Sequence, residues 1–345
     1  GIIRAVICGV DARDQKKLDQ ILIKTDGSKD KGTLGANALL GVSLSVAKAN
    51  AKSSLKPLYA NIYSEVGQTL PVPMMNIING GEHANNEIDL QEFMIMPISA
   101  KNIAEACQMG SEVYQALKKD LNQQGFSTAV GDEGGFAPNL KSPEEALDLI
   151  MIAIERSGYK PGDQVGLCLD IAATEFYSNE IYNLEGMDKK FNSSDMILYI
   201  KELCKKYPIS SVEDGLDEDD WEGWTKLTTS LGAEVQLVGD DLFVTNPERI
   251  KRGIDQNSAN SVLVKVNQIG TLLETFEAIK TSVNNQFSTV ISHRSGETED
   301  TFIADLAVGT ASGQIKTGAP SRSDRVAKYN RLLIIESESG LCIHS

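Results

Sequence analysis

From residue 71 onward, short apolar runs of strand length alternate with longer stretches of helical period. VPMMNIING and QEFMIMPI come first, joined by GEHANNEIDL, which is polar and has no helical period. A parallel pair needs a crossover, usually a helix, so these two runs are expected to pair antiparallel. Helix and strand alternate thereafter. Helix 100–124 leads to STAVGDEGG, helix 142–157 to VGLCLD, a helix near 193–206 to ISSVED, and one near 219–231 to VQLVGDD. Helix 246–253 leads to SVLVKVN, helix 271–283 to STVISHR and helix 300–310 to GQIKTG, with a last helix from Ser323. Ser142 and Glu145 have the spacing of a capping box. These nine runs are one more than the eight strands, mostly parallel and with helices between them, that the pattern predicts. Residues 71–345 come close to the ~250 residues of a closed α/β barrel. The expected fold class is therefore α/β, a (β/α)8 barrel with one antiparallel strand pair.

Ahead of the barrel, 11–24 and 35–52 read as helices, the second with small and apolar residues all round, as in a helix packed on several sides. GQTLPVP, residues 67–73, carries turn-forming residues and marks a domain boundary, giving expected units of 1–66 and 67–345. Gly1–Val10 reads like the middle of an element, so an N-terminal part is expected to precede it.

Charge narrows the partners. Of the 345 residues, 33 are Lys or Arg and 48 are Asp or Glu, for a net charge of -15, which repels nucleic acid and anionic membrane alike. The apolar runs are too short to span a bilayer, and no signal-peptide pattern opens the chain. The five cysteines include no C-x-x-C pair, and reduced thiols in a cytoplasmic protein are expected.

Candidate chemistry sits where the apolar runs stop. VGLCLD ends in Asp170, SSVED in Glu213 and Asp214, QLVGDD in Asp240 and Asp241, and QIK in Lys316. SVLVKV carries Lys265 after residues suited to a barrel interior (Val262, Leu263, Val264, Val266), and TVISHRS ends in His293, Arg294 and Ser295. AVGDEGG carries Glu133. Parallel strands point these ends at one rim, where barrel active sites are built. Asp170, Glu213 and Asp240 form an all-oxygen set, which selects Mg²⁺, Mn²⁺ or Ca²⁺ over Zn²⁺.

Lys265 is the odd residue. Beside a dication and Lys316, its ammonium form is disfavoured and its pKa is expected to fall. Reaching about 7–8 from about 10.4 requires roughly 4 kcal/mol of bias. A neutral lysine can take a proton from carbon if a metal stabilises the carbanion. NGGEHANN, LQEF and GDEGG bring His83, Glu92 and Glu133 to loops on the rim, where two carboxyl groups can share a proton. Arg294, with Ser295, offers a grip for phosphate or carboxylate. The spacing does not match a P-loop. His344, near the terminus, is given no role.

With these residues in view, the chain resembles the enolase family, the phosphopyruvate hydratases of glycolysis, in bacterial form. MNIINGGEHANN, QEFMI, VGDEGGFAPN, SVEDGLDEDDW, LVGDDLFVTN, KVNQIGT, ISHRSGETED and GQIKTGAPSRSDRVAKYN carry the resemblance over most of residues 33–336. It implies that the barrel follows the helical remainder of an α+β capping lobe. It implies dehydration of 2-phospho-D-glycerate to phosphoenolpyruvate with Mg²⁺, two ions per site in turnover. Asp170, Glu213 and Asp240 are then ligands of the tight Mg²⁺, and Lys265 is the base at carbon 2. Glu133 is the acid at the carbon-3 hydroxyl, with Glu92 and His83 beside it. Lys316 binds the substrate carboxylate, Arg294 and Ser295 the phosphate, and His293 and Gln91 line the site. The pairing of a Lys or His base with Mg²⁺ is a known property of enolase-superfamily sites.

The resemblance also implies a cytoplasmic homodimer, and is compatible with surface-associated, leaderless-secreted or RNA-degradation roles. The family's early strands and the loop serine of its second Mg²⁺ do not occur in these residues, and ESGLCIHS departs from its usual ending. A molecule limited to these residues is expected to be weakly active. Two other readings stay open: a superfamily member acting on a different acid, and a non-catalytic enolase-like binding protein.

Overall fold

The computed structural model describes residues 1–63, 66–84 and 86–343. His344 therefore lies outside the described residues, as does Asn85 of the GEHANN run.

Eight strands close into a barrel: β1 (Val72–Asn79), β2 (Glu92–Met96), β3 (Gly166–Asp170), β4 (Ile209–Glu213), β5 (Gln236–Gly239), β6 (Ser261–Val264), β7 (Ser288–Ser292) and β8 (Gly313–Lys316). They follow one another round the barrel in chain order, and β8 closes on β1. All neighbours are parallel except those of β2, which runs antiparallel to both β1 and β3. The antiparallel β1–β2 pair expected from sequence is thus present, and the reversal of β2 adds a second antiparallel pairing.

That reversal matters for the site. Because β2 runs the other way, its first residue lies level with the last residues of its neighbours. Glu92 pairs with Asp170, and Asp170 with Glu213. Glu92 therefore belongs to a strand, and not to the loop expected from LQEF.

The strands read as continuous apolar runs because both faces are buried. Side chains alternate between the faces. Met74, Met94, Met96, Cys168, Val238, Leu263 and Val290 fill the barrel interior. Val262, Val264, Leu167, Leu169, Val212 and Leu237 belong to the larger core formed with the surrounding helices. Of the four apolar residues around Lys265, only Leu263 points inward. Val262 and Val264 face the helices, and Val266 begins a short helix, Val266–Ile269.

Three sequence readings need correction. STAVGDEGG is not a barrel strand. It is a loop held by single bridges of Phe136 to Val130 and to Ile78. Ser142 does cap helix Pro143–Arg156 by accepting from Glu145 N at 3.2 Å, but the Glu145 carboxylate accepts from Lys141 N, so the box is half formed. The reciprocal box occurs instead at Asn192 and Asp195. A small antiparallel sheet over 177–178, 181–184 and 189–191 went unread, its strands being too short and polar to show a period.

The residues before the barrel form helices Ile2–Ile7, Gln15–Asp26, Ala36–Ser53 and Leu58–Ile62. The buried Asp19 accepts from Leu273 N at 3.0 Å, Ser43 Oγ accepts from Leu272 N at 3.1 Å, and Lys31 pairs with Glu274 at 2.7 Å. These bonds satisfy the N-terminus of helix Leu272–Asn284, which starts directly after the segment carrying Lys265. No helix among the described residues is long and apolar enough to cross a membrane.

Candidate active site

The rim residues follow from the same alternation. Lys265 lies two positions beyond Leu263, Asp170 beyond Cys168, Asp240 beyond Val238, and Asn76 beyond Met74. Each continues the inward-facing row of its strand past the apolar plug. Glu92, two before Met94 on the reversed strand, does the same. The result is a cavity of about 270 Å³ lined by His83, Gln91, Glu92, Glu133, Asp170, Asp240, Lys265, His293, Arg294, Ser295 and Lys316. Every site residue expected from sequence lines it except Glu213, which is fully buried behind Lys316.

Lys316 is the hub. Its Nζ lies 2.8 Å from Asp170 Oδ2, 2.9 Å from both oxygens of Glu213 and 3.2 Å from Glu92 Oε1. Burial opposes its charge, but the surrounding carboxylates outweigh this and hold its pKa well above the ordinary lysine value. Asp170 also accepts from Gln91 Nε2 at 3.2 Å, so Gln91 supports a carboxylate. Lys265 pairs with Asp240. Here the sequence expectation reverses: in the protein alone, burial lowers the Lys265 pKa, but Asp240 and Glu213 outweigh it and the net shift is upward. The expected depression belongs to a site in which a dication takes up those carboxylates.

Opposite stands the second carboxyl group pair. Glu133 Oε2 accepts from Asn76 Nδ2 at 3.2 Å, and Oε1 lies 3.1 Å from His293 Nε2. His83 Nδ1 lies 3.4 Å from Glu92 and 3.8 Å from Glu133. Burial and the neighbouring Glu133 charge push Glu92 up to about 7. Burial acts on Glu133 in the same sense, but His293, Lys316 and His83 hold it well below the carboxylate range. Of the two carboxyl groups, Glu92 is thus the one that more readily carries a proton. Burial lowers the His83 pKa, but the Glu92 and Glu133 carboxylates raise it to about 9.

The acidic wall suits a hard divalent cation. Asp170, Glu213 and Asp240 offer only oxygen. Burial and mutual repulsion hold Glu213 well above its ordinary pKa and raise Asp241 to about 6. The two ammonium groups thus leave negative charge uncompensated, and a dication would relieve it. Among the described residues, Asp214, Asp240 and Asp241 bring ligand oxygens within 4.8 Å of one another, whereas Asp170, Glu213 and Asp240 do not form such a set around the inserted Lys316. Asp214 is already engaged: its carboxylate accepts from Asp240 N at 2.9 Å and Asp241 N at 2.8 Å. It adopts φ 41°, a conformation Asp tolerates, and fixes the end of β5.

Asn76, Asp214 and Arg325 are site residues given no role from sequence. Asn76 was legible from its step of two after Met74. Asp214 and Arg325 act through backbone groups brought close only by folding.

Two family models match the chain. The enolase C-terminal TIM barrel domain matches residues 67–343, and the enolase N-terminal domain matches residues 1–62. The first accounts for the closed barrel, and the family is one of lyases using divalent metals, in keeping with the acidic wall. The chain belongs to the enolase family.

Proposed function

We propose that this protein catalyses the reversible dehydration of 2-phospho-D-glycerate to phosphoenolpyruvate with Mg²⁺. The observation that carries the reading is that one small cavity sets two lysines, Lys265 and Lys316, across from the carboxyl pair Glu92 and Glu133. That is the layout needed to take a proton at one carbon and release hydroxide, as water, from the next.

Asp170, Glu213 and Asp240 would hold the cation, Lys316 withdrawing from between the first two. When bound, Mg²⁺ supplies positive charge to the substrate carboxylate and to the second negative charge that grows there. Lys265, released from Asp240 once a cation takes up the carboxylates and having given its extra proton to solvent, stands as the neutral amine and takes the carbon-2 proton, and the electron pair of that bond passes toward the carboxylate. The Lys316 ammonium faces that charge in a site where little water screens it. The carbon-3 to oxygen bond then breaks, its electrons leaving with the hydroxyl while the carbon-2 pair forms the double bond. Glu133 faces the departing hydroxyl, and the proton stored on Glu92 completes the water. His83 keeps the two carboxyl groups close. Arg294 and Ser295, both exposed at the rim, hold the phosphate, and His293 and Gln91 steady Glu133 and Asp170.

The reading extends to a capping unit over 1–66 and a catalytic unit over 67–345, supported by the seam between the early helices and helix Leu272–Asn284, and to a cytoplasmic homodimer, supported by the family resemblance alone. Light scattering giving a mass of one chain would overturn the dimer. The activity is tested by phosphoenolpyruvate absorbance on adding 2-phosphoglycerate and Mg²⁺. Signal abolished by Lys265→Ala supports it, and no signal from the full-length, folded protein would favour a binding protein without catalysis.

A further inference from the structure

Arg325 is completely buried, yet it does not line the cavity. It stands in the first turn of helix Ser323–Ser339, and its stem passes over Gly318. A Cβ at Gly318 would lie 2.8 Å from Arg325 Cδ, so the residue two beyond Lys316 must be small. The guanidinium then reaches two separate loops. Its Nη1 donates to Arg294 O at 2.6 Å, and its Nη2 donates to Ser295 O at 2.6 Å and Asp132 O at 3.2 Å. Its Nη1 also meets His293 Nδ1 at 2.5 Å.

The last contact decides a proton's position. A guanidinium can only donate, so His293 Nδ1 must be the acceptor. A neutral imidazole accepting at Nδ1 carries its hydrogen on Nε2. That nitrogen lies 3.1 Å from Glu133 Oε1.

We propose that Arg325 is a positioning residue, which sets His293 as the Nε2–H tautomer facing Glu133 and holds the Arg294–Ser295 segment in register with the Asp132–Glu133 loop. The proposal rests on the functional reading above for its kinetic consequence, but not for its structural one. One planar fork can serve four acceptors at once, which a lysine's point charge cannot.

Nitrogen-15 NMR of histidine-labelled protein separates the two tautomers. The chain has three histidines, so single substitutions assign the signals. The wild-type protein at neutral pH is expected to show His293 as the neutral Nε2–H form. Arg325→Ala is expected to shift it toward a mixture. The same variant should raise KM for 2-phosphoglycerate and lower kcat by about 10²-fold, the usual effect of a misplaced site group. Low, non-denaturing guanidinium should restore both the tautomer and part of the rate. A wild-type His293 found as Nδ1–H or as imidazolium would overturn the proposal, even if the variant fails to fold. So would a folded variant with unchanged tautomer and kinetics. Absence of 2-phosphoglycerate turnover in the wild type would overturn the functional reading alone, because the NMR result does not depend on it.

Discussion

Lys316 Nζ lies 2.9 Å from both carboxylate oxygens of Glu213, and both side chains are shut away from solvent. Removing one partner of a buried pair strands the other charge. Lys316→Met is expected to cost about 3–5 kcal/mol of stability, by the usual penalty for an uncompensated buried ion. Urea unfolding of the metal-free protein measures it. A loss within experimental error would mean that Glu213 is already neutral without its partner.

The acidic wall makes stability depend on divalent cation. Mg²⁺ at a hundredfold excess over its dissociation constant should stabilise the fold by about 2.7 kcal/mol if it binds only the native state. Chelator should reverse the gain, and Asp240→Asn should abolish most of it. Thermal unfolding with and without Mg²⁺ is the check, and an equal Tm in both would contradict the assigned ligands.

Glu92 and His83 impose a pH dependence that can be followed directly. Glu92 is raised to about 7, so the native state holds a proton that the unfolded chain releases at ordinary carboxylate pH. Its contribution to stability is present in full below about 4.5 and is lost as pH rises through about 7. His83 is raised to about 9, so its contribution is present below about 6.5 and is lost through about 9. Glu213 and Asp241 are raised as well, so the check is the infrared difference between wild type and Glu92→Gln, which should show one buried carboxylic acid band fading near pH 7. A difference spectrum without that band would place the proton elsewhere.

The seam between the early helices and the barrel is held by Asp19. Its carboxylate accepts from Leu273 N at 3.0 Å and from Gln15 Nε2 at 3.0 Å. Asp19→Ala should cost about 1–3 kcal/mol, the penalty for leaving a buried donor unmade. Denaturation measures this, and the slope of the transition shows whether the early helices still unfold together with the barrel.

Much of the site was legible because a barrel strand is short and has a period of two. Once the apolar run 261–264 is placed inside a closed sheet, Lys265 has to emerge on the inner row with Leu263. The same holds for Asp170, Glu213 and Asp240. What could not be read was direction and distance. Nothing in QEFMIMPI reveals that β2 is reversed at both its edges, and only that reversal turns Glu92 from a loop residue into a partner of Asp170. The GDEGG run looked like another strand end because it follows an apolar pair, but close approach of Gly131 and Gly135 to Asn79 folds it into a loop. The balance of charge was equally hidden. Whether Lys265 is raised or lowered depends on which neighbours lie nearest, and in the protein alone those are carboxylates.

The central claim is that Lys265 takes the proton from carbon 2, while the Glu92–Glu133 pair serves the later loss of water. Exchange of the carbon-2 hydrogen of 2-phosphoglycerate with deuterium from solvent isolates the first step. The account expects Lys265→Ala to abolish exchange, and Glu92→Gln to retain exchange while phosphoenolpyruvate formation falls by about 10²–10⁴-fold, the usual worth of a general acid. Exchange that survives Lys265→Ala would contradict it.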